Sequence, residues 1–328
     1  MKSIFLLKKG KLIKLINTII FSIILFTTFA SVKSDSLENK LKSCKTDSCK
    51  LIIYNDLARE FSNKDLKKSE KYANLAINSA KKQNNIIEYA QALHNKGMIA
   101  YYKGLRQKAL DFFMKAKKIK KEQKDRRGEA RSANMIGLIY QNQKNYEKSL
   151  EYFKICLNIR KEINDQSGIS GCYNNIGLSY RLQGDREKAL GYYFKALKIA
   201  LERNSIENKA FYYNNIGYLY MEQKNYNLAK EYFIQSMKIR EKLDDMQGLT
   251  SVYTDLGRLY FETGKYEKSK DFLTKAYSIA KKINIIHEIQ RPAEILEKLY
   301  FKLGDFKNAY KFQDISYNLK DSIDNQRV

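Results

Sequence analysis

Proline is nearly absent from this 328-residue chain: there is one, and there is no tryptophan. No proline-rich or Gly/Ser-rich stretch divides the sequence, so nothing predicts separate globular domains joined by a linker. Only two histidines occur, His94 and His287, and neither has a metal-spaced or nucleophile-linked neighbour. The four cysteines, Cys44, Cys49, Cys156 and Cys172, match no metal spacing either. A phosphate loop, a dinucleotide fingerprint and a nucleophile elbow are all missing. Acidic residues are scattered, mostly near lysines, as on solvated helix faces. These gaps leave no catalytic residue, metal or cofactor to expect, and the chain reads as a non-enzyme.

What is abundant favours helix. Lys, Glu, Leu, Ala, Ile and Tyr dominate, and proline does not interrupt them. The formal charge is +25. A field of that size attracts nucleic acid, anionic lipid or acidic peptides. The Lys and Arg residues are spread through the whole sequence, however, with no Arg-rich block or zinc-finger spacing. That distribution argues against nucleic acid and fits Lys-rich codon usage.

The N-terminus has the order of a targeting segment. Lys2, Lys8, Lys9, Lys11 and Lys14 precede an uncharged stretch from Leu15 to Val32. Thr28-Phe29-Ala30 then offers the small residues, two apart, of a signal-peptidase site. Residues 1–30 are therefore expected to be a signal peptide, and the protein exported, periplasmic or secreted. The alternative is an uncleaved anchor in the inner membrane through residues 15–32, since the stretch approaches the length that spans a bilayer. In that case alone the membrane would be a partner. In an oxidising compartment Cys44 and Cys49 could close a disulfide across a polar turn, with Asp47 or Ser48 capping the helix that follows. Cys156 reads as a small buried residue.

Periodicity sets the fold. Gly97, Gly137, Gly177, Gly217 and Gly257 recur forty residues apart. Twelve residues after each stands a small residue: Ala109, Ser149, Ala189, Ala229, Ser269. Sixteen after it stands a large one: Phe113, Phe153, Tyr193, Phe233, Leu273. Nineteen after it the place is small again: Ala116, Cys156, Ala196, Ser236, Ala276. Small residues let two helix backbones approach, and the large one fills the gap beside them. Asn174-Asn175-Ile176-Gly177-Leu178-Ser179-Tyr180 and Asn214-Asn215-Ile216-Gly217-Tyr218-Leu219-Tyr220 show the period most clearly. This pattern resembles the tetratricopeptide repeat (TPR), in the long-period form of kinesin light chain and of the exported modules of bacterial TPR-containing histidine kinases and LuxR-type regulators. The resemblance implies an all-α fold, a right-handed TPR superhelix (α-solenoid) of about seven helix-turn-helix repeats. The repeats are drawn at 51–89 (degenerate), 90–129, 130–169, 170–209, 210–249, 250–289 and 290–323 (degenerate, capping). A polar lead-in, 31–50, precedes them and a tail, 324–328, follows. Pro292 falls in the first turn of the last repeat's first helix on this division.

In each first helix, Tyr173, Ile176, Gly177 and Tyr180 and their counterparts share one apolar face. The stripe opposite reads Arg131, Asn134, Leu138; Asn174, Asn175, Leu178; Phe211, Asn214, Asn215, Tyr218; then Thr254, Asp255, Arg258. The family resemblance places that stripe on the concave surface, where relatives bind peptides. Asparagine is a mediocre helix former, so Asn134, Asn174 and Asn214 at one register want a reason. Either they bond the neighbouring repeat, or they form a ladder gripping an extended backbone. The expected function is an exported, non-catalytic scaffold holding a protein or peptide partner, acidic if Arg131 and Arg258 take part. The alternatives are a sensor's input module without its own output domain and, third, a basic binder of membrane surfaces or nucleic acid.

Overall fold

The computed structural model describes residues 34–325, so the expected signal peptide and anchor lie outside the described residues. A short helix, α1 at 34–43, comes first. It is followed by α2 (Asp47–Phe61), α3 (Leu66–Lys82), α4 (Ile86–Tyr102), α5 (Arg106–Glu122), α6 (Arg126–Asn142), α7 (Tyr146–Glu162) and α8 (Gln166–Gln183). Then come α9 (Arg186–Glu202), α10 (Ile206–Glu222), α11 (Tyr226–Lys242), α12 (Met246–Glu262), α13 (Tyr266–Ile283), α14 (Ile286–Lys302) and α15 (Phe306–Asn325). From α2 onward these form seven helical hairpins among the described residues. No strand occurs there, and no helix is long and apolar enough to cross a membrane. The chain divides into two compact units, residues 1–128 and 129–328.

The forty-residue period has a steric cause. A Cβ added at Gly177 would sit 2.8 Å from the ring of Tyr193, and one at Gly137 would sit 2.6 Å from Phe153. The large residue of each second helix thus lies directly on a backbone that only glycine leaves open. Phe153, Tyr193 and Phe233 are fully buried, as are the small residues flanking them. Two of the serines at these places bond to the partner helix, while Ser149 Oγ lies 3.2 Å from Ser179 Oγ on α8. Ser236 Oγ donates to the Ala210 carbonyl at 2.7 Å, and Ser269 Oγ to that of Gly257 at 2.8 Å. Each pairing satisfies a buried hydroxyl that would otherwise cost free energy.

A second period, of twenty residues, comes from the turns. Every helix end from α3 to α14 places one residue in the left-handed region, from Asn84 and Gly104 through Lys124 and Lys144 to Asn284 and Gly304. The next residue but one opens the following helix. Between them stands the N-cap, often Asp or Asn: Asn85, Asn145, Asp165, Asp185, Asn225 and Asp245 each accept a backbone N–H from the first turn.

The structure shifts three sequence readings. Helices α2, α4, α6, α8, α10, α12 and α14 each start four residues ahead of the repeat boundary drawn from the glycine period. The caps, not the glycines, set those starts. Thr46, rather than Asp47 or Ser48, caps α2 by accepting from the Cys49 N–H at 3.2 Å. Pro292 lies in the second turn of α14, not its first, and is buried. It denies the Glu288 carbonyl its helical donor.

Candidate partner-binding face

In the second unit the first helices of successive hairpins touch one another, so their outer stripes run side by side. The contacts are polar and in register. Asn175 Nδ2 donates to Asn134 Oδ1 at 2.9 Å, joining α8 to α6. Asn215 Nδ2 donates to Asn174 Oδ1 at 2.7 Å, joining α10 to α8. Asn214 Nδ2 donates to Asp255 Oδ2 at 2.9 Å, and Arg291 donates to the other oxygen, Oδ1, at 3.1 Å. The first unit repeats the motif independently: Asn95 Nδ2 donates to Asn55 Oδ1 at 3.0 Å, and Asn55 in turn to Glu88 Oε2 at 2.7 Å. Asparagine amides therefore pair hairpin to hairpin, one of the two roles the sequence left open for them.

Burial sorts the stripe. Asn174 is 6% exposed, Asn214 9% and Asp255 1%, so these three are enclosed by the pairing. Arg131, Asn134, Leu138, Asn175, Leu178, Asn215, Tyr218 and Arg258 are half-buried, and Phe211 is 46% exposed. Asp255 is spent on Asn214 and Arg291 and presents no free carboxylate edge. Asn214 is different. A carboxylate can only accept, so its bond to Asp255 fixes the amide with Nδ2 toward Asp255. The opposite atom, Asn214 Oδ1, is buried and has no hydrogen-bond partner among the described residues. Phe211, Asn214, Asn215 and Tyr218 are spaced three and four apart, so they share one face of α10.

Tyr218 is the meeting point of two arginines. The Arg181 guanidinium lies over its ring, 4.6 Å from the centroid, and Arg258 Nη1 donates to its hydroxyl at 3.4 Å. Arg181 also pairs with Glu222 at 3.5 Å. The sequence reading missed Arg181. It stands one helical turn beyond Leu178, so extending the stripe by a turn would have included it. Arg131 belongs to the neighbouring hairpin and is held by contacts of its own. At the corresponding place on α8, Gly171 has open space around it.

The other singled-out residues lie away from this face. Cys44 and Cys49 are joined by a disulfide, with Cα atoms 5.8 Å apart. His94 is buried edge-on against Phe113, and His287 is exposed. Among the described residues no group of His, Cys, Asp and Glu could hold a metal ion.

Comparison with known proteins agrees with this architecture. Tetratricopeptide-repeat profiles match residues 90–123, 128–202 and 209–282. A Rap protein solved with competence and sporulation factor is 19% identical, with a TM-score of 0.70, over 90% of this chain and 81% of that one. NprR solved with its cognate peptide NprX is 18% identical, with a TM-score of 0.62, over 94% of this chain and 89% of that one. Aspartyl phosphate phosphatase F from Bacillus subtilis is 16% identical, with a TM-score of 0.66, over 83% of this chain and 71% of that one. At such identities the likeness is one of fold. No curated protein matches the chain by sequence. The repeat profiles span more than half of the residues, and the glycine, wedge and cap periods explain why: the chain belongs to the tetratricopeptide-repeat family.

Proposed function

We propose that the first-helix face of residues 129–328 binds an extended peptide or a peptide segment of a protein, without catalysis. One observation carries this reading. Phe211, 46% exposed, shares one face of α10 with the half-buried Asn215 and with the arginine-flanked ring of Tyr218. A peptide's side chains would cover the two rings. Arg258 and Arg181 beside Tyr218 favour an acidic residue in the ligand. The asparagine pairs fix the spacing of the hairpins, while the half-buried Asn175 and Asn215 keep a second amide hydrogen each for a ligand carbonyl. That one similar fold was solved with its cognate peptide, and another with competence and sporulation factor, supports the reading. The likeness to a peptide-bound NprR also favours a sensory role, as an input module.

We place this face outside the cytoplasm. The basic, apolar and small order of residues 2–30 supports export, and the Cys44–Cys49 bond suits an oxidising compartment. Alkaline phosphatase fused after residue 60 should be active outside the cytoplasm; an inactive fusion would reverse the topology.

The binding face is tested with random peptides displayed on phage, selected against the folded chain and measured by fluorescence anisotropy. Phe211→Ala should weaken a selected peptide by about tenfold, with Tm unchanged. Asn174→Ala with Asn214→Ala separates grip from spacing. Lost stability with unchanged affinity per folded molecule assigns the ladder to spacing alone. If neither variant changes affinity, the peptide binds elsewhere and the proposed face is wrong.

A further inference from the structure

A pair of buried thiols stands apart from this face. Cys156 lies on α7 and Cys172 on α8, sixteen residues apart in the chain and each 2% exposed. Their sulfurs are 2.9 Å from one another. Two unbonded sulfurs do not rest comfortably so close, whereas a disulfide holds them at about 2.05 Å. The remaining gap to bonding distance is about 0.9 Å.

The surroundings distinguish the two sulfurs. The two sulfurs share one hydrogen bond in which either can be the donor, and the Arg160 guanidinium, one turn further along α7 and paired with Asp165, adds positive charge beside Cys156. Both lower the Cys156 thiol below its ordinary range, while the same hydrogen bond and burial push Cys172 up. Cys156 is thereby the better nucleophile of the pair.

We propose that Cys156 and Cys172 close into a structural disulfide that staples the α6–α7 hairpin to α8. The proposal rests on the export reading, because an oxidising compartment supplies the oxidant. That oxidant is a second disulfide, small or carried by an oxidoreductase. The Cys156 thiolate attacks one of its sulfurs and displaces a thiolate, giving a mixed disulfide. Cys172 then gives up its proton and attacks the Cys156 sulfur, displacing the second thiolate. The protein loses two hydrogens, and the oxidant leaves as two thiols.

Burial decides when this happens. Neither sulfur is reachable once α8 has docked on α7, so closure belongs to folding, before docking is complete. The finished bond is equally hard for a reductant to reach. It differs in this from Cys44–Cys49, whose two residues are partly exposed. The staple lies across the junction that the Asn175–Asn134 pair also bridges, so it fixes hairpin spacing at one end of the proposed binding face.

The test uses the mature chain, refolded with oxidised glutathione, then denatured, alkylated and digested without reductant. A linked peptide pair containing Cys156 and Cys172 is expected. It should survive dithiothreitol applied to the native protein, under which Cys44–Cys49 opens. In a Cys44→Ser, Cys49→Ser background, refolding with oxidised glutathione should raise Tm by about 5 °C or more over refolding with dithiothreitol. Two alkylated thiols at these positions after oxidative refolding would overturn the staple. Export is read separately, from protein taken directly from cells. Cys44 and Cys49 reduced there, with the bond of Cys156 still forming in the refolding arm, would remove the compartment while leaving the staple.

Discussion

The α8–α9 hairpin and the α14–α15 hairpin are built on one plan and share its middle turn, but differ at the glycine, the wedge and the first helix's cap. In α8–α9, Gly177 lies under the Tyr193 ring, Asp165 and Asp185 cap both helices, and Gly184 turns between them. In α14–α15 the glycine place holds Glu297 and the wedge place holds Gln313, joined by a hydrogen bond of 3.4 Å instead of a packed ring. Ile285 precedes α14 without a side-chain cap, and Pro292 interrupts its ladder. Phe301, Phe306 and Tyr310 are well exposed. Yet both hairpins form. The lesson is that glycine and wedge are a matched pair, not separate requirements: either may go if both go. What persists in both hairpins is the middle turn, Gly184-Asp185 in one and Gly304-Asp305 in the other, and the buried apolar face of the first helix, with Ile176 in one and Leu296 and Leu299 in the other.

The comparison breaks most visibly if one half of the pair is changed alone. Gly177→Val brings side-chain atoms into the Tyr193 ring, which a single added Cβ already meets at 2.8 Å, and near the Ala189 carbonyl at 3.2 Å. We expect a loss of about 2–4 kcal/mol in urea unfolding. Glu297→Ala, at the same register in α14, should change stability by less than about 0.5 kcal/mol. Equal effects would mean that the terminal hairpin carries the same wedge constraint.

Tyr193 offers a milder test, since Phe153 and Phe233 hold the same place in neighbouring hairpins. Burial pushes the Tyr193 hydroxyl up to about 12, with Arg181 opposing and Glu222 adding to the rise. The folded state thus keeps a proton that the unfolded chain releases near pH 10. Stability from this group is complete below about pH 10 and falls by about 1.4 kcal/mol per pH unit up to about 12. Tyr193→Phe should match the parent at pH 8 and become the more stable of the two above pH 10. Parallel curves for the two proteins across that range would show that the hydroxyl is not desolvated.

Much of this was legible in the residues, for a physical reason. Gly177 and Tyr193 exclude other pairings by contact, so sterics wrote the forty-residue period directly into the sequence. The caps were half legible. The repeat boundaries fall four residues inside the first helices, because the glycine pattern says nothing about where backbone N–H groups first need a partner. The face was less legible still. A stripe at positions i, i+3 and i+4 names residues without saying which are spent on neighbours. Asn174 and Asp255 are enclosed by partners about forty residues away, Asn215 and Asn214 respectively, and Arg181 enters only through its stacking on Tyr218. Such pairings depend on how hairpins stack, which a period alone does not specify.

The smallest expected effect concerns the caps, and it sharpens the contrast between hairpins that have them and those that lack them. Lys265 occupies the N-cap of α13 with φ −89° and ψ 63°, close to the −87° and 75° of Asn145 on α7. The backbone is therefore already arranged for a capping side chain, but lysine supplies no acceptor, and no side-chain bond is made. Asn145 Oδ1 in the same place accepts from the Lys148 N–H at 3.1 Å. Lys265→Asp should gain about 1 kcal/mol by taking up an orphan N–H of α13. Its negative charge also faces the positive end of the helix. Lys265→Asn carries the acceptor without the charge and should recover most of the gain. If aspartate stabilises and asparagine does not, the effect is electrostatic, and the gain should fade in high salt. If neither raises Tm, the φ and ψ match is not sufficient for capping, and the regular caps of α7, α8 and α9 owe their value to the turn residues before them.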